Sequence, residues 1–319
     1  MNYTTKSIFF GLTFMMLGCD SSETNQTAPQ PEEKRISLSG AFALYPLAIK
    51  WSEEYMKLHP EVKFDIQAGG AGKGLADALS GTVDLGMFSR SITQAEKDKG
   101  VWWVAVAKDA VLPTVSSAHP DIAKIKAQGL TQAHFKSIFI DMSKVRWKDL
   151  VKGGTNESVN PYTRSDACGA AGTWAEYLGG SQENLKGTGV FGDPGLAEAV
   201  TRDKFGIGYN NTVFVYDIAT GAKVPGIEVV PIDINENGTI DSTEQLYANM
   251  PTILEAIADG RYPSPPARDL YFVAKGSPQQ AHVAEFIKWT LNEGQKFVTE
   301  AGYVMLKEDL ISQEKAKLQ

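Results

Sequence analysis

Four histidines, two cysteines and no surplus of basic residues limit what this 319-residue chain can do before any motif is considered. The formal charge is −7 and the acidic residues are scattered, so no broad basic face exists to track a nucleic-acid backbone. His59, His119, His134 and His282 stand far apart in the chain and lack the spacing of metal ligands. None of them falls in a glycine turn that builds a site at a sheet edge, which argues against a Cys-His nucleophilic pair. Apolar runs are short too, and the one from Ile8 to Leu17 is too brief for a comfortable membrane span. The glycine-rich stretch Gly69–Gly74 is not a P-loop, because no Lys-Ser or Lys-Thr follows at the required place. What is present is ordinary for a soluble globular protein: 43% hydrophobic and 22% charged residues, in a length sufficient for two cores. A small anion held in a buried pocket stays open as a ligand, since local donors and helix ends govern such a site.

The first residues, MNYTTKSIFFGLTFMMLGCD, carry one lysine, an apolar run and then small residues, the pattern of a secretory signal. The ending Met16-Leu17-Gly18-Cys19 resembles the lipobox of bacterial lipoproteins, which implies cleavage after residue 18 and lipidation of Cys19. Asp20 resembles the signal that keeps such lipoproteins at the inner membrane of Gram-negative cells. The location this implies is the periplasmic side of that membrane. Residues 19–35 are polar and proline-containing, and read as a flexible tether. With Cys19 consumed, Cys168 is the only thiol left, so no intrachain disulfide forms and the fold rests on its cores.

Beyond the tether, strand and helix alternate. RISLSGAFALYPLAIKWSEEY reads as a strand, a glycine turn and a helix with Leu44, Leu47, Ala48, Trp51 and Tyr55 at helical spacing. EVKFDIQAGGAGKGLADALSG repeats that arrangement, TVDLGMFSR is a strand ending in a polar turn, and VWWVAVAKDAVLPTVSS suits a strand buried on both faces. The expected class is α/β with a largely parallel sheet in the first lobe. In such sheets ligands sit beyond the carboxyl ends of the strands, which gathers the turns at Ser39, Gly70 and Ser89 at one edge. VNPYTRSDACGAAGTWAEYLGG is a fourth unit of the same kind. Within it, Arg164 reads as an anion clamp. Cys168 reads as a small packed residue more readily than as a nucleophile. Asp166 is the nearest carboxylate able to accept a proton from a bound anion, or else a helix cap. Trp102 and Trp103 read as core or lobe-interface residues, and YPSPPARDLYF as an extended, proline-rich crossing between lobes.

The order of SGAFALYPLAIKWSEEY, GGAGKGLADALSGTVDLGMFSR, AKDAVLPTV, RSDACGA, FGIGYNN, RDLYFVAKGSP and FIKWTLNEGQKFVTEAGYVML resembles the phosphate-binding proteins of bacterial ABC uptake systems, over nearly the whole mature chain. The resemblance implies the type II periplasmic-binding-protein fold, with two α/β lobes joined by crossover strands. Lobe 1 is expected at 36–113 and 266–319, and lobe 2 at 114–265. It further implies a monomeric, non-enzymatic, membrane-tethered protein that captures inorganic phosphate or a related tetrahedral oxyanion for an ABC permease. A sensory or scaffolding lipoprotein and a phosphohydrolase are the alternatives. The implied oxyanion site comprises Ser39, Gly40, Ala41 and Phe42 from the first turn, Gly70 from the second, Ser89 and Arg90 from the third, and Arg164, Asp166, Cys168, Gly169 and Ala170 from the fourth. The chain departs from the family where a serine usually stands at Gly70 and where Ser-Gly-Thr becomes Cys168-Gly169-Ala170, so hydroxyl donors are missing. Thr173 would substitute only if the loop were shifted by three residues.

One segment answers to none of this. DINENGTIDSTE, residues 233–244, fits the twelve-residue calcium loop. Asp233, Asn235 and Asn237 take positions one, three and five, Gly238 the sharp turn at six, the Thr239 carbonyl position seven, Asp241 nine and Glu244 twelve. A structural Ca2+ is expected there, pinning the loop to a helix that starts at Gln245. GIEVVPI before it reads as a strand, so the loop stands outside a helix-loop-helix hand.

Overall fold

The alternation becomes a single mixed sheet whose two parallel flanks run in opposite senses. A computed structural model describes residues 33–141 and 144–318. The expected signal peptide, Cys19 and nearly all of the tether lie outside the described residues. In chain order the first elements are β1 (Lys34–Gly40), α1 (Tyr45–Leu58), β2 (Val62–Ala68), α2 (Ala71–Ser80), β3 (Leu85–Phe88), α3 (Gln94–Lys97) and β4 (Val101–Ser116). Then come α4 (Ile122–Gln128), α5 (Gln132–Phe139), α6 (Trp147–Leu150), β5 (Asn160–Arg164), α7 (Gly169–Tyr177), β6 (Thr188–Val190), α8 (Gly192–Arg202), β7 (Gly206–Asn211) and α9 (Thr212–Val215). β8 (Ile227–Val229), α10 (Met250–Asp259), β9 (Ala267–Lys275), α11 (Ala281–Thr290) and α12 (Glu308–Ala316) complete the chain.

The strand order is β2-β1-β3-β9-β4-β7-β5-β6, with β8 pairing β4 off this path. β1 is parallel to β2 and β3, and β5 is parallel to β6 and β7. β9 is antiparallel to β3 and β4, and β4 to β7 and β8. The sheet is thus parallel at its flanks and antiparallel in the middle, where the sequence reading expected parallel strands. The reason lies in β4, whose 16 residues extend roughly 50 Å and run from one half of the molecule into the other. The chain comes back along β9 in the opposite sense.

Two hydrophobic cores result. One gathers Ile36 to Ala107 and Leu270 to Leu306 around Trp51, Tyr55, Phe272 and Phe286. The other gathers Ala110 to Ala267 around Phe135, Phe139, Trp147, Trp174 and Tyr209, and Val304 joins it. They meet along β4 between Ala107 and Ala110, and along β9 between Ala267 and Leu270. The C-terminal segment returns to the first core, where Tyr303 donates to the Ala43 carbonyl at 2.7 Å and Val304 bridges Lys108. Glu33–Gln319 forms one compact unit.

Four expectations are corrected here. Lys34 and Arg35 belong to β1, paired with Val62 and Lys63, so the tether ends before residue 34. Trp102 and Trp103 are half-buried on β4, at the margin of the first core, with Lys97 and Lys317 over the Trp103 ring at 5.3 Å. The PSPP segment turns through cis bonds before Pro265 and Pro266, and β9 starts only at Ala267. No helix starts at Gln245: after the 233–244 loop the chain is irregular until α10, capped by Asn249, whose side chain accepts the Thr252 N–H at 3.0 Å.

Candidate functional site

The N-termini of α1, α2 and α7 and the end of β3 meet at one edge of the sheet, where two glycines let backbones touch. A Cβ at Gly169 would lie 2.1 Å from the Ser89 hydroxyl, and one at Gly70 would lie 2.9 Å from both Asp166 Oδ2 and the Ala167 carbonyl. The Gly72 N–H donates to the Ala167 carbonyl at 3.0 Å, and Ser91 donates to Glu176 at 3.1 Å, so the α2 and α7 sides are joined directly.

The sequence-predicted residues divide in this geometry. Ser39 is buried, but its hydroxyl donates to Asp77 at 2.6 Å, and Lys73 reaches the same carboxylate oxygen, so the hydroxyl is drawn away from the edge. After Gly40, the Ala41 N–H donates to the Met87 carbonyl at 2.9 Å. Among the hydrogen bonds of the described residues, the Phe42 and Ala43 N–H groups have no acceptor, nor do those of Gly169 and Ala170 at the head of α7. Cys168 caps α7: its sulfur accepts the Ala171 N–H at 3.3 Å, and its own N–H donates to Gln182 at 3.1 Å. Burial pushes the thiol up to about 12 despite the nearby Arg164, so it stays protonated at neutral pH. Arg90 corrects the expectation of a second clamp. Its guanidinium grips Glu96 at 2.6 and 3.0 Å and lies over the Phe88 ring, because Glu96 also accepts the Thr93 N–H and anchors α3. Thr173 is one turn into α7, where its oxygen accepts from Arg268 at 3.3 Å.

Arg164 holds the centre. Its side chain is fully buried at the end of β5. Nε and Nη2 donate to Asp166 at 2.8 and 2.6 Å, and Nη1 donates to Asp193. A guanidinium has five N–H donors; three are used among the described residues, which leaves two there for a ligand. The Phe42 ring lies 5.5 Å from the guanidinium carbon and packs edge-on against Phe191. Burial alone would lower the Arg164 pKa, but Asp193 and Asp166 outweigh it and raise it, so the charge is fixed.

Behind Arg164 runs a chain that sequence reasoning missed. Asn211 donates to Asp193 at 2.6 Å and accepts from Arg268, which also holds Asp109 through bonds of 2.9 and 3.2 Å. Asp109 and Arg268 face each other in the β4–β9 register. The available signal was a polar residue set in an apolar strand: Asp109 in AVAKDAVLP, and Asn211 at the end of GIGYNN.

A groove of about 420 Å³ lies beside Cys168, lined by Gly72, Arg90, Ser91, Glu176 and Gln182. A larger apolar cavity of about 670 Å³ lies between α10 and the Thr299–Met305 segment, away from every residue of the predicted site.

The 233–244 loop is arranged around its carboxylates. Asp233 accepts the N–H groups of Asn237 and Gly238 at 3.2 and 2.9 Å, and Glu244 those of Ile234, Asn235 and Asp241 at 2.7, 3.2 and 3.3 Å. Gly238 takes φ +78° at the turn. Asp233 and Glu244 are buried, and every partner found for them among the described residues is a backbone N–H. No group of three or more His, Cys, Asp or Glu side chains among the described residues is placed to hold a metal. The loop's remaining oxygen donors are Asn235, Asn237, Asp241 and the Thr239 carbonyl, which suit a hard, oxygen-seeking cation.

Residues 25–293 match the model of a PBP superfamily domain. This chain belongs to the PBP superfamily. Its relatives include the phosphate-binding protein PstS of Bacillus subtilis, 26% identical over 229 residues that span 67% of this chain and 73% of that one. PstS of Xylella fastidiosa (strain Temecula1) is 25% identical over 323 residues, spanning 92% and 87%. Among solved structures, a phosphate ABC transporter substrate-binding protein from Clostridium perfringens, with bound phosphate, superposes with a TM-score of 0.70 at 22% identity, covering 86% of this chain and all of that one. The type II periplasmic-binding-protein fold implied by the sequence is therefore the fold of this PBP-superfamily member.

Proposed function

We propose that this PBP-superfamily protein captures inorganic phosphate, or a related tetrahedral oxyanion, and delivers it to an ABC importer. Arg164 carries the reading: a fully buried guanidinium with two N–H donors free, beside the open N–H groups of Gly169 and Ala170. Helix N-terminal N–H groups and a guanidinium are complementary to a dehydrated oxyanion. Ser89, closed against Gly169, supplies a hydroxyl. The relatives named for phosphate binding support the same reading. Release of the solute to a permease needs no chemistry, and a buried, protonated Cys168 offers no nucleophile for any. The protein works outside the cytoplasmic membrane as a monomer, tethered through lipidated Cys19. Titration calorimetry with phosphate tests the function: saturable binding at micromolar concentrations or below is expected, and no heat with phosphate or arsenate at millimolar concentration would overturn it.

A separate calcium ion in the 233–244 loop is the second element of the proposal. Two buried carboxylates, Asp233 and Glu244, whose partners among the described residues are all backbone N–H groups, support it. Asp233, Asn235, Asn237, the Thr239 carbonyl, Asp241 and Glu244 would hold the ion. Its role would be structural.

A further inference from the structure

Phe191 is the most exposed large apolar side chain among the described residues, at 65%, and the only exposed Phe, Tyr or Trp there. Its backbone is nonetheless fixed. Gly192, directly after it, takes φ +74° and donates its N–H to Asp166 at 3.1 Å, and Asp193 next in the chain accepts from Arg164. The segment that carries the ring is therefore anchored to the same groups that orient Arg164.

What the ring meets comes from the other core. Val190, before it, packs on the second core, whereas Phe42 sits between Ala41 and Ala43 of the first. The two ring centroids are 6.2 Å apart with planes at 85°, an edge-to-face pair. The Phe42 ring also approaches to 3.5 Å of the place a Gly192 Cβ would take, and its centroid lies 5.5 Å from the Arg164 guanidinium carbon. One half-buried ring of the first core is thus held by a ring and a cation of the second.

We infer that Phe191 is a positioning residue for solute retention: acting through Phe42, it latches the first core's edge over Arg164 and sets how fast a bound oxyanion leaves. The inference rests on the oxyanion reading above. A ring attracts a guanidinium through its π face and uses no N–H donor, so the latch leaves the free donors of Arg164 to the ligand. Both contacts exist only while the two edges are together, and parting them returns two rings to water. Their loss therefore speeds opening and release, while the encounter of anion with open cleft is untouched.

Rapid-mixing release of radiolabelled phosphate from the full chain, chased with unlabelled phosphate, gives the off-rate. Calorimetry gives the dissociation constant and hence the on-rate. Phe191→Ala is expected to raise the off-rate about fivefold, the worth of one edge-to-face pair, with the on-rate and the melting temperature of the ligand-free protein unchanged. Phe191→Tyr, which keeps the ring, should release at the parent's rate. The double variant Phe42→Ala/Phe191→Ala should release no faster than Phe42→Ala alone, since the two rings act as one unit. If Phe191→Ala melts below the parent, Phe191→Leu replaces it, with a smaller rise of the same sign expected. A variant without the ring that binds phosphate and releases it at the parent's rate overturns the inference and leaves the oxyanion reading standing. So does an effect confined to the on-rate, or one that multiplies with that of Phe42→Ala. A parent that binds no phosphate takes the inference and the oxyanion reading down together.

Discussion

Cys168 stands at the N-terminus of α7, and its surroundings decide what its sulfur does. The sulfur caps α7 through the Ala171 N–H, only 4% of the residue is exposed, and burial holds the thiol near 12. Thiolate, the reactive form, is therefore scarce at neutral pH. With Cys19 replaced by serine, the native protein should show no reaction of Cys168 with a disulfide reagent within minutes at about pH 8, and full reaction once unfolded; rapid labelling of the native state would contradict this. Cys168→Ser should melt at the same temperature or higher, since serine is a strong helix N-cap. The residues legible in the sequence were those in short, ordered motifs: Arg164, Ser89 and the glycines. Asp193, Asn211, Arg268 and Asp109 were not, because their contacts span 18 to 159 residues and no local pattern joins them. Arg90 misled for a different reason: its partner Glu96 is close in sequence, but the direction of the side chain was not visible there.

At the scale of elements, turns and caps were legible and strand direction was not. The glycine turns, the α1, α2 and α7 starts and the β4 run all fall where periodicity and turn residues placed them. Antiparallel pairing of β4 and β9 depends on where the chain returns, which no local pattern contains. The 233–244 loop is the element whose role is easiest to isolate, because it lies outside the anion site and owes its shape to its own backbone. An ion that binds only the folded state stabilises it by about 2.7 kcal/mol when present at 100 times its dissociation constant. In a chain of this size that raises the melting temperature by roughly 5 °C. Calcium added to chelator-treated protein should produce such a shift, and Glu244→Gln, which removes the carboxylate charge at position twelve, should abolish most of it. Identical melting of both proteins with and without calcium, together with no calcium uptake by calorimetry, would reduce the loop to a turn.

The whole molecule is two cores on one shared sheet, and its working motion, if it captures a solute, is closure of one core's edge on the other's. The contacts that permit closure are close approaches at glycines: Gly70 against the Ala167 carbonyl and the Asp166 carboxylate, Gly72 against Ala167, and Gly169 against Ser89. At Gly169 a methyl group would stand 2.1 Å from the Ser89 hydroxyl and 2.2 Å from its carbonyl oxygen, and backbone cannot yield as a long side chain does. Gly169→Ala should therefore fold as the parent does, because Ala favours a helix start at least as well as Gly. It should fail to close, because the extra carbon holds the β3 and α7 edges apart. Small-angle X-ray scattering measures that directly. Phosphate should lower the radius of gyration of the parent and leave that of Gly169→Ala unchanged, with affinity in the variant reduced at least tenfold, about 1.4 kcal/mol. A variant that compacts and binds like the parent would mean that the close approach of Gly169 to Ser89 does not control closure.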